Sequence, residues 1–236
     1  MNIIYFLYTI LIATIGTCAL VVGGLLTLIV SFLYSPSTYP MITGFAKVFV
    51  FILGVRVKIE GEFPENGPYI IMANHTSMLD PFLWGTFMKG KFTGIVANKN
   101  MNYPIYGWML KRMRAVAIDR SNRSESIQRI KNAESVLNDG YHIGLHPEGT
   151  RTLSGKMNPL KKGGFHMAKN TNTSILPIGF DGAFNFKPKN RFTLRPTTVT
   201  IRIGDIISKN IYDKSSINDL IDITTQKLKK LSGEID

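Results

Sequence analysis

Tyr69-Ile70-Ile71-Met72-Ala73-Asn74-His75-Thr76-Ser77-Met78-Leu79-Asp80-Pro81 changes character at its middle. Its first five residues form an apolar, β-rich run of the length of a short strand. A polar turn comes next. A strand that ends in a polar turn presents side chains at the edge of its sheet, where α/β proteins place their sites. Histidine is the usual general base near neutral pH, so His75 is the first candidate catalytic residue. Asp80 lies five residues on. If the turn opens a helix, its carboxylate folds back to accept the Nδ1 proton, fix the tautomer and stabilise the imidazolium. The competing reading makes Asp80 a helix N-cap ahead of a proline at the first helical position.

Working outward, the pattern repeats. Val55–Glu60 alternates apolar and polar, and Phe92–Ala97, Ala115–Ile118, Tyr141–Leu145, Ser174–Phe180 and Thr198–Ile203 are further short strand runs. Helical stretches separate them, the clearest at Ser124–Leu137 and from about Lys214 to Leu231. Strands alternating with helices predict an α/β fold with a mixed sheet flanked by helices.

The N-terminal end is different. Residues 1–46 contain no charged side chain, so the whole net charge of +12 belongs to residues 47–236. Ile3–Tyr34 is apolar throughout and as a helix spans about 48 Å, against about 30 Å of hydrocarbon. It tilts across a bilayer or breaks near Gly23-Gly24 into a re-entrant pair. It has no basic leader and no small-x-small cleavage site, so it reads as a permanent anchor rather than a signal peptide. The expected domains are 1–40, anchor and linker, and 41–236, a catalytic domain that opens with an interfacial helix at 41–54. Lys47, Arg56 and Lys58 follow the anchor, which places the rest of the chain on the cytoplasmic side.

The charge excess calls for an anionic partner: nucleic acid, a membrane surface or a phosphorylated substrate. Lys99, Lys111, Arg112, Arg114, Arg120 and Arg123 face one acid, Asp119, within a single stretch. A second strand-to-loop junction, His146-Pro147-Glu148-Gly149-Thr150-Arg151, offers a glycine for close backbone approach and an arginine fork suited to phosphate. It is not a P-loop, because Gly149 and Gly155 are one residue too far apart and Met157 follows Lys156. His142, His146, Glu148 and His166 suggest a metal site, but the HxxxH pair lies on a strand rather than a helix. Ser77 beside His75 suggests a nucleophile, but no G-x-S-x-G elbow surrounds it. Cys18, the lone cysteine, sits in the anchor.

Taken in order, these segments resemble the glycerolipid acyltransferase family, the 1-acyl-glycerol-3-phosphate acyltransferases in particular. Asn74–Asp80 matches the family's H-x4-D block. Lys99 through Pro104, Gly107-Trp108 and Ile118-Asp119-Arg120 matches its second block, Pro147–Arg151 its third and Ile175–Gly179 its fourth. His146 departs from the pattern, since phenylalanine is common there. The resemblance implies that His75 takes the proton from the sn-2 hydroxyl of lysophosphatidic acid and Asp80 orients His75. It implies that Arg120 and Arg151 hold the glycerol phosphate with Lys99 helping, that Glu148 and Gly149 shape that pocket, and that Pro177 lines the acyl or acceptor site. The donor is an acyl thioester on coenzyme A or acyl carrier protein; being activated already, it needs no metal and no other cofactor. Membrane lipid is the expected partner and nucleic acid is not, because a nucleic-acid binder has no use for the anchor. A non-catalytic protein docking anionic lipid has no use for the His75/Asp80 pair.

Overall fold

The computed structural model describes residues 2–35, 38–119 and 133–235. The seven expected strands are all present: β1 (Val55–Glu60), β2 (Ile70–Ala73), β3 (Phe92–Ala97), β4 (Val116–Ile118), β5 (His142–Leu145), β6 (Ile175–Asp181) and β7 (Thr197–Ile203). They form one sheet in the order β1-β7-β6-β2-β5-β3-β4. The sheet is mixed because β7 runs antiparallel to β6 and β1 pairs parallel to β7. The other neighbours are parallel.

β2 is buried on both faces, and period two divides its side chains between two cores. Ile71 and Ala73 pack with Phe49 and Val50 of α2 (Thr38–Ile52) and Leu83 and Phe87 of α3 (Asp80–Phe87). Ile70 and Met72 pack on the opposite face with Phe165 and Met167 of α5 (Gly163–Thr171), Leu220 of the C-terminal helix Ile217–Leu231, and Ala133–Leu137. That last segment is the described end of the helix expected at Ser124–Leu137; the rest of it lies outside the described residues. The C-terminal helix begins later than its periodicity suggests, at Ser216, whose hydroxyl and Asp219 form a capping box.

The chain leaves β2 through α3 and crosses β5 to reach β3. It leaves β5 through α5 and crosses β2 to reach β6. The two exits go to opposite faces of adjacent parallel strands, which opens a crevice at their carboxyl ends. β3, its following 3₁₀ turn (Asn98–Asn102) and α4 (Tyr106–Arg112) wall one side of that edge.

α1 (Ile3–Leu33) is one continuous helix, unbroken at Gly23-Gly24. Its buried face carries Thr9, Gly16, Gly24, Thr27 and Ser31, with Leu28 among them. Its outward face carries Ile3, Leu7, Leu11, Val22, Leu26, Ile29 and Phe32, all exposed. Small and polar inside, large and apolar outside, is the pattern that lipid selects and water does not. The inner face is fixed to the domain along its length. Tyr8 donates to the Leu53 carbonyl (3.0 Å), and the Leu194 N–H donates to Thr9 Oγ1 (2.9 Å). At the other end Arg112 donates to the Ser31 carbonyl (2.7 Å). α2 begins before the expected residue 41; it buries Phe49 and Val50 while Val48 and Phe51 stay exposed.

Candidate active site

The turn after β2 is built by side chains that act as backbone. Asn74 extends the strand by one step: its Nδ2 donates to the Phe180 carbonyl (3.1 Å) and its Oδ1 accepts the Phe180 N–H (2.7 Å). The main chain of His75 is then held from both sides by the loop after β5. Its N–H donates to Glu148 Oε1 (2.6 Å), and its carbonyl accepts the Thr152 N–H (2.9 Å). Asp80 opens α3 and does fold back. Its Oδ2 lies 2.8 Å from His75 Nδ1 and also accepts the Thr76 and Ser77 N–H groups at 2.8 and 3.0 Å. The carboxyl is fully buried, and desolvation pushes its pKa up to about 6 against the pull of those two N–H donors and the Arg151 guanidinium. With Nδ1–H directed at Asp80, the basic nitrogen of neutral His75 is Nε2.

His146 stacks on His75, ring centroids 4.1 Å apart and planes within 10°. Its Nδ1 lies 3.1 and 3.0 Å from the Ala73 and Asn74 carbonyls, which only accept. Its Nε2 lies 3.1 Å from the Trp84 indole nitrogen, which only donates. Both ends demand the neutral tautomer, and burial lowers the pKa to about 3 in agreement. Gly144 lets the Trp84 ring approach β5, because a Cβ there would come within 3.2 Å of it.

Glu148 is 1 % exposed, and burial raises its pKa to about 7. Its Oε1 holds His75, and its Oε2 accepts from the Asn158 N–H (2.7 Å) and side-chain amide (3.0 Å). It therefore ties the catalytic turn to the segment beyond the Pro147–Arg151 loop. Gly149 has φ +72°, which favours glycine, and Lys161 covers it within 3.0 Å of where a Cβ would stand. Arg151 is half-buried beside this loop, and among the described residues no carboxylate pairs with it. Lys99 lies exposed in the turn after β3, at the same sheet edge. Arg120 lies outside the described residues.

Pro177 is not brought to this site. It sits within β6, buried against Gly204, whose N–H donates to its carbonyl (3.0 Å). Its missing N–H falls on the β7 side, where the antiparallel ladder starts only at Ile178. In the basic stretch around Arg112 and Arg114, Lys111 and Arg114 are exposed, and two of the guanidinium groups also make contacts within the chain. Arg112 caps α1, and Arg114 pairs with Asp139 (2.7 Å) and covers Tyr141.

The metal set suggested by His142, His146, Glu148 and His166 is not assembled among the described residues. His142 and His146 lie at opposite ends of β5, His142 Nδ1 accepts the Tyr69 N–H (3.1 Å), and His166 is exposed on α5. His75, Asp80 and His146 do bring ligand-type atoms within 4.8 Å of one another. Both His146 nitrogens and Asp80 Oδ2 are already engaged in hydrogen bonds, while Asp80 Oδ1 has no partner among the described residues.

Ser77 is a turn residue. Its hydroxyl donates to the Lys187 carbonyl (3.2 Å) and accepts the Leu79 N–H (3.2 Å). Ser77→Ala is therefore expected to keep activity within about tenfold of wild type and to lose stability, about 1 kcal/mol for each hydrogen bond removed. Acyl donor alone should leave no adduct by intact mass. A stoichiometric acyl-Ser77 would reverse this reading.

His75 and His146 face a largely apolar cavity of about 190 Å³. Its far walls come from Leu20 and Gly24 of α1, Ile42 and Phe45 of α2, and Met109 and Leu110 of α4. A carboxylate-oriented imidazole on the carboxyl edge of an α/β sheet, lining an apolar cavity, is a candidate acid–base site beside a pocket for an apolar group. The family model for acyltransferases matches residues 54–181, and the chain belongs to that family. It is 32 % identical to a 1-acyl-sn-glycerol-3-phosphate acyltransferase of Cocos nucifera, over 78 % of this chain and 60 % of that one. It is 28 % identical to the Borreliella burgdorferi protein of the same name, over 82 % and 79 %. The crystal structure of a 1-acyl-sn-glycerophosphate (LPA) acyltransferase from Thermotoga maritima matches 100 % of this chain and 98 % of its own, with TM-score 0.86 and 25 % identity. The chain spans about 60 % of the length of the coconut and Limnanthes douglasii relatives.

Proposed function

We propose that this chain transfers a fatty acyl group from a thioester to the sn-2 hydroxyl of lysophosphatidic acid, giving phosphatidic acid, at a site on the cytoplasmic face of a membrane. The observation that carries the reading is the His75–Asp80 pair at the mouth of the apolar chamber, with Arg151 beside it and no carboxylate on that arginine among the described residues. His75 Nε2 takes the hydroxyl proton as the oxygen attacks the thioester carbonyl, and Asp80 stabilises the imidazolium. The tetrahedral oxyanion collapses, the thiolate of coenzyme A or acyl carrier protein leaves, and His75 returns the proton to it. The chamber takes the hydrocarbon of the acyl donor. Arg151, with Lys99 from the turn after the neighbouring strand β3, holds the phosphate, and the family resemblance adds Arg120 to them. Glu148 and Gly149 set the loop that carries Arg151, and Pro177 supports the sheet rather than the substrate. Residues 1–40 serve as anchor, and 41–236 as the catalytic domain with α2 at the interface. The reading is tested by thiol release from acyl-CoA and acyl carrier protein on adding lysophosphatidic acid. Release that is no faster than with water alone would overturn it.

Arg151→Lys keeps the charge and loses the planar fork. It is expected to lower kcat/KM for lysophosphatidic acid by roughly tenfold to a hundredfold, the worth of one charge-assisted hydrogen bond. Slow transfer to a monoacylglycerol should change little. Equal loss on both acceptors would assign Arg151 to the donor or the fold.

A further inference from the structure

The two loops that clamp the His75–Asp80 turn carry large apolar side chains at their tips. Thr152, which donates to the His75 carbonyl, is followed by Leu153, 57 % exposed. Lys187, whose carbonyl accepts from Ser77 and Met78, begins a loop that ends at Arg195 and carries Phe192, 67 % exposed. Met78, between them on the turn itself, is 47 % exposed. The loops are joined directly, since Asn190 Nδ2 donates to the Leu153 carbonyl (3.2 Å). Single exposed apolar residues need no explanation, but three on one connected rim do.

The rim is built to stay in this shape. Lys187 donates to the Pro188 and Arg191 carbonyls, and Arg191 donates to the Asn185, Phe186 and Thr193 carbonyls. Two cations therefore hold the loop from within and leave Phe192 facing out. Lys156, Lys189 and Arg195 remain exposed around it. No acid occurs in sequence between Glu148 and Asp181 or between Asp181 and Asp205, so both loops carry an excess of positive charge; the one carboxylate brought against the first loop is that of Glu234, which accepts the Met157 N–H (2.7 Å) among the described residues.

The rim is also continuous with the lipid-facing helix. The Leu194 N–H donates to Thr9 Oγ1 (2.9 Å), and the Arg195 guanidinium lies 4.8 Å from the Tyr5 ring. Both contacts are to the first turns of α1, where Ile3, Ile4 and Leu7 are exposed. Apolar tips flanked by cations, joined to an apolar helix, have the composition of an interfacial membrane contact.

We propose that the loops 152–156 and 187–195 form a second membrane-docking surface, with Leu153 and Phe192 entering an anionic bilayer and the cations meeting its headgroups. The proposal rests on the reading of α1 as lipid-facing and makes no use of the acceptor's identity. Its consequence is that the mouth of the crevice is pressed against the leaflet, so a lysolipid reaches His75 without crossing water. An acidic carrier protein would also be drawn to the cations. The apolar tips and their continuity with α1 favour lipid.

The single cysteine makes the test clean. Native Cys18 is exposed on α1 and serves, spin-labelled, as the lipid-buried reference. In a full-length Cys18→Ser background, Leu153→Cys and Phe192→Cys carry the label, and Asp205→Cys, 97 % exposed in its side chain, is the aqueous reference. Accessibility to oxygen and to a nickel chelate is measured in phosphatidylglycerol vesicles and in phosphatidylcholine vesicles. Labels at 153 and 192 are expected to lie about 5–10 Å below the headgroup boundary in the anionic vesicles, and shallower in neutral ones, while Cys18 does not move. Labels as open to nickel as the one at 205 would overturn the proposal. Equal depth in neutral vesicles would overturn the anionic-lipid assignment. Protection by added acyl carrier protein, with none from lipid, would give the surface to a protein partner. The depth reading needs no turnover, so it stands or falls apart from the acyl-transfer reaction.

Discussion

His75→Ala is expected to lower kcat/KM for acyl transfer by about 10²–10⁴-fold, the usual worth of a positioned general base. The fold should survive, because the main chain of residue 75 is held by Glu148 and Thr152 whatever its side chain. Asp80 keeps the Thr76 and Ser77 donors after the ring is gone. His146 keeps its contacts to Trp84 and to the Ala73 and Asn74 carbonyls, so the neighbouring ring has no cause to swing into the vacancy as a substitute base. Thiol release and a thermal melt on the same preparation check both halves. Turnover near wild type in a folded His75→Ala protein would falsify the mechanism.

Much of this arrangement was readable from the sequence, and the rest was hidden for identifiable reasons. The strands show themselves because each is a short apolar or alternating run between breakers, and Asp80 shows itself by its distance from His75. The order of the strands does not, since β2 meets β5 and β6 from more than seventy residues away and nothing local records such pairings. α3 and α5 give no helical period: Asp80–Phe87 is apolar on nearly every side, and α5 begins with two glycines. Asn74, Trp84 and Thr152 were missed as functional residues because their roles depend on partners across the sheet. Glu148 is expected on motif grounds to shape the phosphate pocket; what the motif does not show is that its two oxygens accept the N–H groups of His75 and Asn158. In the basic run at Lys111–Arg114, the sequence shows the charge but not that Arg112 reaches the end of α1. Further exposed cations lie at Lys156, Lys189 and Arg195, in loops with no periodic signal.

Asp80→Asn should reduce kcat/KM by about 10²–10³-fold through loss of charge, not through a wrong tautomer. When an amide replaces the carboxylate of a catalytic triad, its NH₂ group can face the imidazole and hold the wrong ring nitrogen protonated, with losses near 10⁴. Here three donors converge on one oxygen, Oδ2: His75 Nδ1–H, the Thr76 N–H and the Ser77 N–H. A substituted amide that turned its NH₂ toward them would oppose two backbone N–H groups that cannot move. Its carbonyl therefore takes the Oδ2 position, and the His75 tautomer is kept. Its NH₂ then occupies the place of Oδ1, which is buried and has no hydrogen-bond partner among the described residues. That costs about 1–3 kcal/mol of stability. What the variant lacks is a negative charge in a fully buried position, where charge stabilises the imidazolium most. The same charge gives the wild type a pH signature. Asp80 takes up a proton as pH falls through about 6, and the transition state then loses its counter-charge, so kcat/KM drops on the acid side. In Asp80→Asn that component of the acid limb should vanish while the plateau is lower. Asp80→Ala should be worse in both respects, because it removes the acceptor from two buried N–H groups as well as the charge. A loss of about 10⁴-fold or more in a stable Asp80→Asn protein would mean that the amide does face the ring, and the shared-oxygen argument would be wrong.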